Sequence, residues 1–390
     1  MNEKLLHTPE GVRDIYDAEC KKKKKVISQI HHVLELYSYQ DIDTPSFEYF
    51  DIFNMDKGSA ASNEMYKFFD RNNNTLVLRP DITPSIARSV AKYYPEEQLP
   101  IRLCYAGNTF LNTHQHQGKL SEFTQIGGEL INDDSSAADA EIIACVIHCL
   151  LAAGLKEFQI EEAGLDDETE QRIKEYIHSK NFFGLTEFVN TLEIPEERKT
   201  ALKSFESLFG GLDMLDHAEK LVTNAASLEA IARMRKVYTA LTSYGYEKYV
   251  SFDLSMINRF NYYTGIVFRG YTYGTGDAIV KGGRYNSLME KFGKKAPSVG
   301  FAIYVDDLMS AIARNKIDVA LDYSNVLVLY KEEDQKEAIA YACKLRAEDQ
   351  KVELVRMSRR HDLQEYIDYA HKMHFAKLCY FEAADKITEY

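Results

Sequence analysis

No run of about 18 apolar residues occurs anywhere in the chain, which excludes a membrane-spanning helix as an expectation. The opening MNEKLLHTPEG lacks the charged-then-apolar pattern of a secretory leader, so the cytoplasm is the expected location. Basic charge is short: 47 Lys+Arg stand against 60 Asp+Glu, a net of −13. That balance disfavours nucleic acid as a partner, although an acidic protein can still carry a local basic patch. Internal repeats and low-complexity segments are absent. Cysteines are few and scattered. Only Cys145 and Cys149 are close, in EIIACVIHCLLAAG beside His148. A metal there needs two more ligands that the sequence does not offer, so a buried helix face with reduced thiols is expected. His114-Gln115-His116 lacks a third ligand, and Gly274-Thr275-Gly276 lacks the strand-to-helix context of a dinucleotide loop, so a hairpin turn is expected.

What is present is a 390-residue chain long enough for two domains and an insertion. Apolar periodicity predicts a helix over Asp17–Tyr37, with the lysines at 21–25 as its solvated first turns. YQDIDTPSFEYFDIF reads as a strand that turns at Pro45. Short strands around Phe68–Phe69 and Leu76–Leu78 flank a polar turn at 70–74. LRPDITPSIARSVAKYY carries a turn into a helix, with Pro80 and Pro84 near its start. A strand pair over 101–131 precedes a helix over Ala137–Ala153 and a strand over Glu157–Glu162. Residues 166–249 are polar and helical, interrupted by Pro195 and Gly210–Gly211, and read as an inserted helical module. Strands return at YVSFDLSMI, NYYTGIVFRGYTYG and DAIVKGGRYNSLME, and VGFAIYVDDLMSAIAR reads as strand then helix. The expected organisation is a core over 1–320, a linker at 315–324 and a small α/β domain over 324–390. The tail's βαβαβ order predicts a mostly parallel sheet.

Several segments carry a specific resemblance, and they fall in one order. They are Thr8-Pro9-Glu10-Gly11-Val12-Arg13-Asp14, the strand ending at Pro45, LRPDIT, LCYAGNTFLNTHQHQGKLSEFTQIGGE, FNYYTGIVF, GGRYNSLME and VGFA. Over roughly residues 8–320 the chain resembles the histidyl-tRNA synthetase family. The resemblance implies an α+β, class II synthetase-like fold: a mixed, mainly antiparallel sheet flanked by helices. The tail resembles a shortened anticodon-binding domain, yet residues 321–390 hold 11 Lys+Arg against 14 Asp+Glu. Arg356, Arg359 and Arg360 are expected on a solvated face, and tRNA binding is not expected.

The resemblance also implies an amino-acid pocket. Asp81, beside Thr83, matches the acid that meets the ligand's ammonium, where the family usually has the longer Glu. Gln125 matches a second ammonium contact. Glu129 and Tyr263 match the pair that grips the imidazole, with Tyr262 and Tyr285 lining the pocket. The chemistry is coherent by itself, because carboxylates accept from ammonium and imidazole N–H, and phenols bond ring nitrogens. Strand alternation puts Gln125, Gly127 and Glu129 on one face. The plainer alternative is a set of sheet-surface polar groups with no ligand.

The groups that would hold ATP are missing. Leu111 stands where the family has the arginine that meets the α-phosphate, and Thr113 stands where Glu is usual. Asn258 replaces an adenylation-assisting arginine, Asp307 replaces the arginine that meets the γ-phosphate, and Tyr304 fills a position that is normally glycine. Arg259 sits one residue away, but adjacent strand residues face opposite sides. Each lost contact of this kind costs about 10²–10³ in rate. The resemblance therefore implies a regulatory paralogue without catalytic residues, cofactor or metal. Its implied partners are a short-form ATP phosphoribosyltransferase catalytic subunit, a second copy of itself as a homodimer, and L-histidine as effector at the first step of histidine biosynthesis. The alternatives are a divergent histidyl-tRNA synthetase and a synthetase-derived binding module with another amino acid or a different protein partner.

Overall fold

In the computed structural model the described residues are 6–54, 60–112, 120–163, 176, 180–192, 195–256, 263–383 and 386–390. They form two compact units, Met1–Val319 and Ala320–Tyr390. Among the described residues, no helix is long and apolar enough to cross a membrane.

In the larger unit, α1 spans Asp17–Leu36 and buries Val26, Ile30, Val33 and Leu34, a spacing that lays one face on the sheet. The lysine run that opens α1 is not uniformly solvated, contrary to expectation. Lys23 is largely covered and its ammonium meets Asp306 Oδ1 at 2.7 Å. The strand expected to end at Pro45 does stop before it, and a second strand that was not expected follows. β1 (Gln40–Asp41) and β2 (Phe47–Tyr49) join different sheets. Proline has no N–H to continue a ladder, so the chain changes sheets there. β3 (Lys67–Phe69) and β4 (Thr75–Leu78) follow, and β4 lies between β2 and β3 in a three-stranded antiparallel sheet. α2 spans Thr83–Tyr93, with proline in its first turn.

The long hairpin β5 (Ile101–Phe110) and β6 (Glu122–Ile131) runs through ten paired positions. Ser135 then caps α3 (Ser136–Ala152), its side chain accepting from Ala138 N. Cys145 and Cys149 lie fully buried on α3 within the main core. β7 is Phe158–Ala163.

The segment expected as a helical insertion is in part outside the described residues, and the rest is not purely helical. Helices Phe182–Thr191, Glu196–Lys203, Leu212–Leu221 and Ala225–Tyr244 enclose a two-residue strand, β8 (Phe209–Gly210). β8 pairs with β9 (Val250–Asp253) at the edge of the main sheet. Helix Ala225–Tyr244 places Val237 and Leu241 in the core shared with α3, so this stretch completes the core. β10 (Val267–Thr272), β11 (Val280–Arg284) and β12 (Ser298–Tyr304) close a nine-stranded sheet of order β1-β5-β6-β12-β11-β10-β7-β9-β8. Within this sheet, among the described residues, the parallel pairs are β1–β5 and β7–β9. Gly274 turns the chain between β10 and β11 at φ +85°.

The smaller unit holds β13 (Val326–Tyr330), β14 (Val352–Arg356) and β15 (Lys377–Ala383), parallel to one another in the order β14-β13-β15. An additional antiparallel strand, β16 (Lys386–Glu389), lies outside the expected βαβαβ pattern. Its ITEY signal is too short to separate from a frayed terminus by periodicity.

Candidate functional site

The middle of the main sheet carries a cavity of about 120 Å³ bordered by strands β6, β11 and β12 and by the Pro80–Thr83 turn. Six of the seven expected pocket residues line it: Asp81, Thr83, Gln125, Glu129, Tyr263 and Tyr285. The seventh, Tyr262, lies outside the described residues, as do Asn258, Arg259, Thr113 and the His114–His116 loop.

Two local features set the geometry. β6 alternates, so Gln125 and Glu129 face the same side with Gly127 between them. Opposite Glu129 in the ladder is Gly300. A Cβ on Gly300 would sit 1.6 Å from Glu129 Oε2, so the carboxylate occupies space that only glycine leaves. The turn that carries Asp81 is pinned by Arg79, whose guanidinium donates to the carbonyls of Thr44 at 2.6 Å and Asn108 at 2.8 Å. Arg79 is buried, and Gly107 leaves room for it, since a Cβ there would fall 2.2 Å from the guanidinium. This pin joins three sequence-distant segments and has no signature in a linear reading.

Glu129 is almost fully buried in the cavity wall. Thr83 Oγ1 donates to its Oε1 at 2.7 Å and Tyr285 Oη donates to its Oε2 at 2.5 Å. Burial pushes the Glu129 carboxyl up to about 8, against the two hydroxyl hydrogen bonds, with the Asp81 charge adding to the rise. Tyr285 and Tyr105 are held well above their ordinary values, chiefly by burial and next by Glu129. Gln125, two positions before Gly127 on the same face, is also buried, and its Oε1 has no hydrogen-bond partner among the described residues. Asp81 Oδ1 accepts from Ile82 N at 2.8 Å. An unsatisfied buried acceptor costs about 1–3 kcal/mol, which a donor from a ligand would recover.

Elsewhere the walls are apolar and aromatic. Leu111 lines the cavity, and Phe123 packs against Tyr304 with ring centroids 5.7 Å apart. Lys281 also lines the cavity, its ammonium 4.8 Å from the Tyr304 ring centre. Asp307 stands on helix Val305–Arg314, next to the Asp306 that pairs with Lys23.

Against known proteins, the histidyl-tRNA synthetase family model matches residues 11–308. An ATP phosphoribosyltransferase regulatory subunit of Acetivibrio thermocellus is 38% identical over 366 residues, 91% of this chain and 88% of that protein. The Ruminiclostridium cellulolyticum protein of the same name is 37% identical over 99% of this chain and 94% of its own. The chain belongs to the ATP phosphoribosyltransferase regulatory subunit family. A crystal structure of a Bacillus halodurans protein described as an ATP phosphoribosyltransferase regulatory subunit/histidyl-tRNA synthetase superposes with TM-score 0.86 at 32% identity, over 96% of this chain and 98% of that one. Histidyl-tRNA synthetase from a Nostoc species, at 20% identity and TM-score 0.79 over 99% of this chain and 96% of its own, shares the fold. The α+β class II synthetase-like architecture expected from the motifs is thus the fold of this regulatory-subunit family member.

Sequence reasoning missed Lys281, Phe123 and Arg79. The signal for Lys281 was the register: it stands opposite Ala302, which stands opposite Gly127, so all three share the cavity face. A cluster outside the cavity was also missed. His31, Asp41 and Cys104 bring metal-ligating atoms within 4.8 Å of one another. Asp41 is already engaged by the His31 ring at 2.7 Å, and burial pushes the Cys104 thiol up to about 12. A thiolate ligand is therefore scarce there near neutral pH.

Proposed function

We propose that the protein is a non-catalytic regulatory subunit of ATP phosphoribosyltransferase that senses L-histidine in the Asp81, Thr83, Gln125, Glu129, Tyr263 and Tyr285 cavity. It acts beside a short-form catalytic subunit at the first step of histidine biosynthesis, in the cytoplasm. The observation that carries the reading is Glu129: a buried carboxyl, oriented by Thr83 and Tyr285, in the wall of a small aromatic-lined cavity. An imidazole N–H meets such an acceptor, the Tyr263 phenol serves the other ring nitrogen, and Asp81 with Gln125 Oε1 receives the ammonium.

Family membership supports the regulatory role, and two replaced residues support the lack of adenylation. Leu111 offers no donor to a phosphate, and Asp307 adds negative charge where a triphosphate needs the opposite. No tRNA partner is expected of so acidic a chain. Self-association into a homodimer is supported by the three-stranded sheet. The ladder puts Phe47, Tyr49, Phe68, Leu76 and Leu78 on one face, and Phe47 and Tyr49 are 52% and 56% exposed. The core over 1–320 and the α/β domain over 324–390 serve as the histidine-sensing part and a domain that does not grip tRNA, respectively.

Thermal shift and ATP–pyrophosphate exchange test this on one preparation. L-Histidine should raise the melting temperature and no histidine-dependent exchange should occur. Robust exchange would make the protein a divergent histidyl-tRNA synthetase instead. In the reconstituted phosphoribosyltransferase complex, Glu129→Gln should relieve histidine inhibition; unchanged inhibition would mean that this cavity is not the sensor.

A further inference from the structure

The cavity has acceptors for an ammonium and an imidazole, but the expected residue set names nothing for the remaining polar group of the amino acid, its carboxylate. We propose that Lys281 binds the α-carboxylate of the ligand and makes the cavity specific for an intact amino acid over the corresponding amine. This rests on the reading of the cavity as an amino-acid site.

Three observations support the assignment. Lys281 lines the cavity and is half-buried, so its charge acts where water screens it less than at the surface. Its place in the ladder is fixed, because β11 pairs Lys281 with Ala302 and β12 pairs Ala302 with Gly127. Residues directly opposite across antiparallel strands share a face, and this face is the one carrying Gln125 and Glu129. The intervening residues are small, so the lysine stem has room to lie over the floor. The ammonium end of the cavity is also its neighbour. Gln125 stands opposite Tyr304, and the Lys281 ammonium lies 4.8 Å from the centre of that ring. In an α-amino acid the ammonium and carboxylate share one carbon, so the group that meets the carboxylate must border those that meet the ammonium. Among the described lining residues, Lys281 is the cation in that position. Its charge also offsets Asp81, so a zwitterion would meet opposite charges at its two ends.

The test compares L-histidine with histamine, which keeps the ammonium and imidazole but lacks the carboxylate, by calorimetry on the full chain. Wild type should bind histidine about 10- to 100-fold tighter than histamine, the span of one charge-assisted hydrogen bond. Lys281→Met keeps an unbranched stem against Tyr304 and should lower histidine affinity to the histamine level while leaving histamine binding unchanged. Lys281→Arg should restore the preference. Retained histidine preference in Lys281→Met would overturn the assignment, and equal loss of both ligands would reduce Lys281 to a structural role. A Lys281-dependent response to ATP without one to histidine would make the lysine a phosphate contact and sink the proposal. Wild type that binds neither ligand would instead remove the amino-acid reading of the cavity.

Discussion

At the scale of single residues the cavity turns on one carboxyl. Glu129 keeps its proton in the folded chain to a pH of about 8, whereas a free glutamate loses it near 4.5. Between those values the folded state holds more protons than the unfolded one, so stability falls as pH rises. Its contribution is fully present below about 4.5 and is lost as pH climbs through about 8. The slope for one such group approaches about 1.4 kcal/mol per pH unit. Glu129→Gln removes the titration while keeping the shape and one acceptor oxygen, so its urea midpoint should be flatter across this window than that of wild type. Parallel pH profiles for the two proteins would mean that Glu129 titrates as an ordinary exposed acid. Tyr285→Phe removes the hydroxyl at Oε2 and leaves the buried carboxyl short of one partner. Histidine affinity should drop about 5- to 30-fold by calorimetry, given about 1–2 kcal/mol per such bond. An unchanged affinity would show that Thr83 alone orients the carboxylate.

Elements were legible where one periodicity or one turn chemistry governs them. α1 is Asp17–Leu36 against an expected Asp17–Tyr37, and the β5–β6 hairpin lies within the expected 101–131. Six pocket residues were brought together because strand alternation and a motif order fixed their faces before any contact was known. Where several sequence-distant segments decide, the reading fell short. β2, beyond Pro45, joins a second sheet, β8 needs β9 to exist, and helix Ala225–Tyr244 belongs to the main core through Val237 and Leu241. An ion network anchors that helix. Asp139 on α3, fully buried, accepts from Arg284 at 2.7 Å through Oδ1 and from Arg233 at 2.7 Å through Oδ2. Arg284 precedes Tyr285, so the network braces the cavity wall as well as the helix. Removing one partner of a buried pair leaves the other charge uncompensated, at about 3–5 kcal/mol. Asp139→Asn should therefore lower the unfolding free energy by about that amount in urea titration. A loss below about 1 kcal/mol would place the network in the class of exposed pairs.

For the whole molecule, regulation requires that histidine and the catalytic subunit each bias the same conformational equilibrium. A ligand that binds two states equally shifts nothing, however tightly it binds. On the proposed reading, a histidine at Glu129 would be felt at Tyr285, whose hydroxyl donates to that carboxyl, and the adjoining Arg284 is tied to α3 through Asp139, which also holds Arg233. A small movement of the carboxylate can therefore be felt on helix Ala225–Tyr244, far along the sequence from the cavity. Coupling free energies of this kind run about 1–3 kcal/mol, or about 5- to 150-fold in affinity, and they are reciprocal. If histidine weakens the productive complex by some factor, the productive complex must weaken histidine binding by the same factor. Calorimetry on the free protein and on the complex with its phosphoribosyltransferase partner measures one side. The partner's dissociation constant with and without histidine measures the other. The two ratios should agree and should shrink together in Asp139→Asn. Equal histidine affinity in both preparations would show that the cavity binds histidine without transmitting it, and the regulatory signal would have to arise elsewhere.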